Sequence, residues 1–240
     1  MSSSAPDPTD QQLLKIVTDP KPANIAEVID RMDRLEAVLQ ITDGLIWFNW
    51  LYRLVTNNVD LSSGWTNPEW LTRLDVIFAN MYFGAIETEL GGVGRTPKSW
   101  QALFEARRKP GIDRIQFALA GMNAHINHDL ALALLQTDRE SGIVPSKTSL
   151  EHQDFESVNS ILEAALPQTL NMLAAGVLGA TAQDTGKIGR LLAMWNVRAA
   201  RNLAWDFADH LRDLNAVSGR VALTAQDQMT GTLGRALLVI

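Results

Sequence analysis

The chain has 240 residues and no cysteine. That excludes disulfides, thiolate metal ligands and a cysteine nucleophile. Basic residues are outnumbered, 21 Lys and Arg against 27 Asp and Glu, for a formal charge of -6. A nucleic-acid partner needs a basic stripe, so none is expected. No run of about 18 uncharged apolar residues occurs, so no membrane span is expected. The start, MSSSAPDPTD, lacks a basic segment followed by an apolar one and does not read as a signal peptide. A cytoplasmic protein is the expectation. Glycine-rich dinucleotide loops, phosphate loops, nucleophile elbows and the HExxH zinc motif are all missing. No serine stands in a context that marks a nucleophile. Neither strand alternation nor a repeat of 20 to 50 residues is present.

What is present is apolar and ring-rich. Hydrophobic residues make up 46%, and seven Trp and seven Phe stand against two Tyr. Rings bury much area, which favours a heavy core or an aromatic-lined pocket. Residues 1–22 read as a disordered or loosely ordered tail, and residues 23–240 as one all-α domain of about eight helices around a central buried helix. Ala23 to Leu39 carries an apolar stripe at helical spacing. Gly44 to Val59 follows. Asn67-Pro68 and Thr96-Pro97 are helix-start signals. The first opens a helix to about Leu90, stopped by Gly91-Gly92; the second opens one to about Arg108. Ile112 to Thr137 reads as one long apolar helix. A helix from about Ser149 is expected to end or kink at Pro167. Asp184 to Leu214 is long and amphipathic. Gly231 and Gly234 weaken the helical reading of the C-terminal segment.

The central helix carries the chemistry. Asn123, His125, Asn127, His128 and Asp129 crowd seven residues of an otherwise apolar run. Successive residues turn by about 100°, so with His125 at zero Asp129 falls near about +40°, His128 near about -60° and Gly121 near about -40°. His125 and Asp129 therefore share an arc with Gly121 and Ala118, whose missing volume predicts a cavity beside polar groups. The alternative is that Gly121 admits a crossing helix and His125 bonds Asp129 as core glue. Asn123, Asn127 and Gln116 lie on the opposite side, where a structural clasp to a neighbouring helix is the simplest role for the Asn pair. Elsewhere, His152 and Glu156 repeat the His-x-x-x-acid spacing of His125 and Asp129. Such pairs can grip a divalent metal ion. This part resembles the all-helical zinc phosphodiesterases of the phospholipase C type, but the chain has no His before His125. Trp195, Arg198, Asn202, Trp205 and Asp209 form a stripe in which Arg198 could stack on rings and pair with a carboxylate such as Asp129 or Asp154. Asp75 and Glu89 lie on one face of their helix.

The run FALAGMNAHINHDLALAL resembles an all-helical family known only as a domain of unknown function. YRLVTNNV, LDVIFANMYFGAI, DFESVNSIL and WNVRAARNLAW are similar to it too. The resemblance implies a shared helical fold and polar centre, favours His125 and Asp129 over His128, and implies no reaction. Members beside biosynthetic genes point to a small-molecule enzyme.

The leading expectation is cofactor-free acid/base chemistry on a small apolar substrate, of cyclase, isomerase or lyase type. His125 and Asp129 would be catalytic; Gly121, Asn123, Asn127, Trp195, Arg198 and Trp205 would bind substrate. The alternatives are a metal-dependent hydrolase using His125, Asp129, His152 and Glu156, and a non-enzymatic scaffold. A homodimer is compatible with all three.

Overall fold

The structure is a computed structural model that describes residues 7–175 and 196–238. Every regular element among them is helical, with no strand. The elements are α1 (Pro8–Val17), α2 (Ile25–Val38), α3 (Leu45–Asp60), α4 (Pro68–Gly91), α5 (Lys98–Ala106), α6 (Arg114–Ala124), a π-helical turn (His125–Asp129), α7 (Leu130–Ser141), α8 (Leu150–Ala175), α9 (Val197–Asp213) and α10 (Ala216–Leu238). No helix among the described residues is long and apolar enough to cross a membrane.

Side-chain caps start several helices by satisfying otherwise orphaned backbone N–H groups. Asn67 Oδ1 accepts from Trp70 N–H, with Pro68 in the first turn, and Gly92 ends α4 in the left-handed region at φ 64°. Asn196 Oδ1 accepts from Ala199 N–H. That cap opens α9 at Val197, where the sequence suggested one helix from Asp184; residues 184–195 lie outside the described residues. Pro167 lies inside α8 rather than ending it.

The rod from α6 through the π turn to α7 is the axis of the molecule. Residues 115–124 are all buried, because α3 and α10 flank α6 while α4 and α9 flank α7. Trp70, Trp100 and Trp205 are among the largest fully buried side chains. At about 25 cal/mol per Å2 over roughly 150–250 Å2, each ring contributes several kcal/mol.

The two C-terminal glycines that weakened the helical reading are contact points. A Cβ on Gly231 would lie 2.5 Å from the Lys98 carbonyl oxygen, and one on Gly234 3.0 Å from Ala102 Cβ. They let α10 lie directly on α5. Asp227 of α10 then caps α5, its carboxylate accepting from Lys98 N–H and Ser99 N–H, both at 2.9 Å.

The N-terminal segment departs from the expectation of a loose tail. Residues 8–17 form α1, with Leu13, Ile16 and Val17 buried. A buried ion-pair network fixes it. Arg107 donates to Asp43 through Nε (2.8 and 2.9 Å) and Nη2 (2.6 Å), and to Asp10 of α1 at 2.8 Å. Burial alone would lower the Arg107 pKa, but the two carboxylates outweigh it and raise it. Removing one partner of such a network strands the rest without water. Arg107→Ala is therefore expected to lower unfolding free energy by about 3–5 kcal/mol in urea titrations. Arg34→Ala, whose partner Asp19 is exposed, is expected to cost under about 1 kcal/mol.

Candidate functional site

The rod widens at its most polar point. From His125 to Asp129 the helix follows i to i-5 spacing, with Leu130 N–H donating to the His125 carbonyl. Single π turns inside α-helices recur at functional sites. Asp129, 3% exposed, accepts three hydrogen bonds here. Trp100 Nε1 donates to Oδ2 at 2.9 Å, His125 Nδ1 lies 3.0 Å from Oδ2, and His128 Nδ1 lies 2.8 Å from Oδ1. His128 is thus part of the same cluster, and its Nε2 lies 3.6 Å from Asp227.

Burial opposes charge on all three groups, and the outcomes differ. In His125 burial wins over the Asp129 hydrogen bond and charge, and the pKa falls below 6.5. In His128 burial also lowers the pKa, but Asp129 and Asp227 outweigh it and raise it. In Asp129 burial raises the pKa, but both imidazoles outweigh it and lower it. An ionised Asp129 only accepts, so His125 carries its proton on Nδ1 and leaves Nε2 as an acceptor. That Nε2 is buried and has no hydrogen-bond partner among the described residues. The His125 ring stacks on Phe78 (3.5 Å, 6°) and meets the edge of Tyr52 at 4.5 Å.

A cavity adjoins this ring. It offers about 70 Å3 to the centre of a water-sized sphere, several times the roughly 10–15 Å3 that one water needs. Its walls are mostly apolar: Leu51 and Val59 of α3, Leu74 and Phe78 of α4, Met122 and Ile126 of the rod, Val158 and Leu162 of α8. Four polar side chains besides His125 face it: Tyr52, Thr56, Asp75 and Arg201. Burial raises the Tyr52 phenol well above its usual value, and the charges of Asp75 and Asp129 add to that. Asp75 makes no hydrogen bond among the described residues. Burial pushes its pKa up to about 7; Arg201 pulls it down and Asp60 adds to the rise. Arg201 is 7% exposed. Burial lowers its pKa to about 10, against the opposing pull of Asp75 and Glu156.

The structure brings His125 and Asp129 together and moves most of the other expected residues away. Gly121 leaves no void, because its missing side chain is occupied by Phe48, whose Cγ would lie 2.3 Å from an added Cβ. The cavity opens beside Met122 and Ile126 instead. Asn123 donates to the Thr230 carbonyl at 2.9 Å, and Asn127 donates to Asn123 Oδ1 at 3.0 Å. The pair clasps α10 and does not line the cavity, and Gln116 adds to the clasp through the Leu237 carbonyl. Arg198 lies on the surface, 37% exposed along its side chain, and pairs with Glu156 and Glu163 rather than Asp129 or Asp154. Asp154 instead accepts from the Thr66 and Asn67 backbone N–H groups. Trp205, 1% exposed, is core, packed on Phe155 at 4.8 Å and His152 at 4.5 Å. Trp195 lies outside the described residues. The four residues of the metal reading do not gather either. His152 faces Trp205 and Glu156 faces Arg198, and no group of three or more His, Asp or Glu among the described residues is placed to hold an ion.

Asp75, Tyr52 and Arg201 were missed as site residues. Asp75 carried a signal, a lone acid inside the apolar run LDVIFANM of α4. Arg201 carried one too: the buried positions of α9 are Val197, Arg201, Ala204, Trp205, Ala208 and Leu211. That stripe sits about one residue step, roughly 100°, from the one containing Arg198.

A model of the family described as a family of unknown function (DUF5995) matches residues 25–240. No curated protein and no solved structure matches the chain.

Two outcomes test this geometry. Gly121→Ala drives a methyl into Phe48, which packs edge-on against His125 at 5.7 Å. It is expected to cost about 1–3 kcal/mol of stability by calorimetry, the range for overpacking. Asp75 gives a signed pH dependence. Its folded pKa is raised from 3.8 to about 7, so the folded state holds this proton more tightly than the unfolded chain. The associated stability is full below the unfolded value and is lost as pH rises through the folded one. Relative to Asp75→Asn, the wild type is expected to lose stability progressively from about pH 4 to about pH 7 and no further above. Parallel pH profiles of the two proteins would show that Asp75 is not titrating in this window.

Proposed function

We propose, starting from the fact that the chain belongs to the DUF5995 family, that it is an enzyme moving protons on a small, largely apolar molecule held in the cavity beside His125. The supporting observation is that one apolar cavity is lined by an imidazole and a carboxyl group whose environments push their pKa values in opposite directions, down for His125 and up for Asp75. Such pairs mark acid and base assignments.

In this reading the neutral His125 imidazole accepts a proton from a substrate carbon at Nε2. Asp129 orients the ring through Nδ1 and stabilises the imidazolium that forms. The electron pair left on carbon shifts along the substrate. Asp75, protonated in part at neutral pH, delivers its proton at the far end. One proton leaves the substrate and one arrives, so the reaction is an isomerisation, or a cyclisation or elimination when the shifting pair closes a ring or expels a group. Trp100 and His128 complete the hydrogen bonding of Asp129, and His128 acts on the base only through that carboxylate. The apolar walls exclude water from the carbanion-like intermediate and hold the substrate against both groups.

Proton abstraction is read out by isotope exchange, without knowing the product. Small apolar ketones and α,β- or β,γ-unsaturated acids incubated with the protein in D2O are expected to gain deuterium, followed by NMR. His125→Ala and Asp75→Asn should each slow exchange by about 10²–10⁴-fold, the usual contribution of a positioned acid or base. Exchange at the wild-type rate in both folded variants would refute the assignment.

A further inference from the structure

We infer that Arg201 is the anchor of an anion site in the cavity wall, and that the ligand it takes is a small apolar carboxylate. Arg201 is 7% exposed and lines the cavity. Among the described residues it has no ion-pair partner. Two of its nitrogens are held: Nε donates to Asn159 Oδ1 at 2.6 Å and Nη2 to the Phe155 carbonyl at 3.0 Å. The guanidinium lies over the Phe155 ring, 4.1 Å from its centroid. These contacts fix the side chain but do not neutralise it, and Nη1 makes no hydrogen bond among the described residues. Next to it, the buried Asn159 Nδ2 is a second donor without an acceptor among the described residues.

A buried cation without a counterion is costly in a finished core. Arg107 shows the usual solution, pairing with Asp43 and Asp10; Arg31, buried like Arg201, bonds two backbone carbonyls and lines no described cavity. Arg201 instead faces an apolar space with one half-buried carboxyl, Asp75, outside ion-pair contact. A carboxylate with an apolar tail satisfies both features: its oxygens meet the planar guanidinium, whose geometry suits them, and its tail fills the aliphatic walls. Asp75 competes for the same positive charge when ionised. Ligand binding and protonation of Asp75 therefore favour each other.

This inference rests on reading the cavity as a small-molecule site. Calorimetric titration of the full chain with hexanoate and benzoate, against hexanamide and benzamide as uncharged isosteres, tests it at about pH 6 and pH 8. The acids are expected to bind at least about tenfold more tightly than the amides, and more tightly at the lower pH. Arg201→Gln should bring the acids to the level of the amides. Asp75→Asn, which leaves the guanidinium in place, should remove the pH dependence and tighten acid binding at pH 8. Amides equal to acids in the wild type, or no binding of either acid at millimolar concentration, overturns the assignment even if Arg201→Gln does not fold. Acid binding with no proton exchange in any ligand keeps this inference and removes the catalytic reading. Exchange on ketones without preference for acids does the reverse.

Discussion

Asp129 accepts from an indole and two imidazoles inside a core that leaves it 3% exposed, and the arrangement of the centre follows from satisfying that charge. A lone buried carboxylate is too costly to keep ionised. Three donors from two elements change the balance: Trp100 comes from α5, and both histidines come from the rod. The rod supplies both from the turn where its hydrogen-bond spacing lengthens. The carboxylate thus fixes the distance between α5 and the rod, the orientation of His125 and the tautomer that leaves Nε2 open. α10 is tied to the same point, since Asp227 both caps α5 and approaches His128. The aromatic box of Phe48, Tyr52, Phe78 and Trp100 then closes around His125.

Much of this was legible in periodicity and some of it was not, for reasons that can be assigned. The helical class and the starts at Asn67-Pro68 follow from capping chemistry, which is local. The His125–Asp129 pair follows from i,i+4 geometry, which survives the π turn because only one turn is involved. The amides of Gln116, Asn123 and Asn127 were placed on the face away from His125, and that is the face against α10. Gly121 was harder. A missing side chain permits either a cavity or a close neighbour, and sequence holds no information on whether Phe48 will enter. The N-terminal segment was read as loose from its polar start MSSSAPDPTD, yet the helix that forms there buries Leu13, Ile16 and Val17. Its apolar face packs on distant helices and its Asp10 meets Arg107, about a hundred positions away, and such contacts are invisible to any local window.

The exchange of Arg198 for Arg201 shows how little separates a surface residue from a site residue on one helix. The two are three positions apart, and Trp205 borders both arcs, so a stripe drawn through the tryptophans selects the wrong arginine. The buried arc is defined by Val197, Ala204 and Ala208, whose small size carries little hydrophobic signal. Small residues there let the long Arg201 side chain lie flat on Phe155 and reach the cavity. The acidic ladder of Glu156 and Glu163 draws Arg198 outward instead.

Three of the ionisable groups around one apolar space, His125, Asp75 and Arg201, constrain each other. Burial holds the His125 pKa below its ordinary value despite the hydrogen bond and charge of the Asp129 carboxylate beside it. Asp75 has no hydrogen-bond donor among the described residues, so burial moves it toward neutrality, with the Arg201 charge as the main opposing force. Arg201 in turn stays charged, with its pKa at about 10, and has no ion-pair partner among the described residues. The resting cavity therefore carries a positive charge that its own carboxyl group only partly offsets. On the proposed reading, a ligand anion at Arg201 would offset the charge that favours ionised Asp75, so that binding would favour the protonated acid.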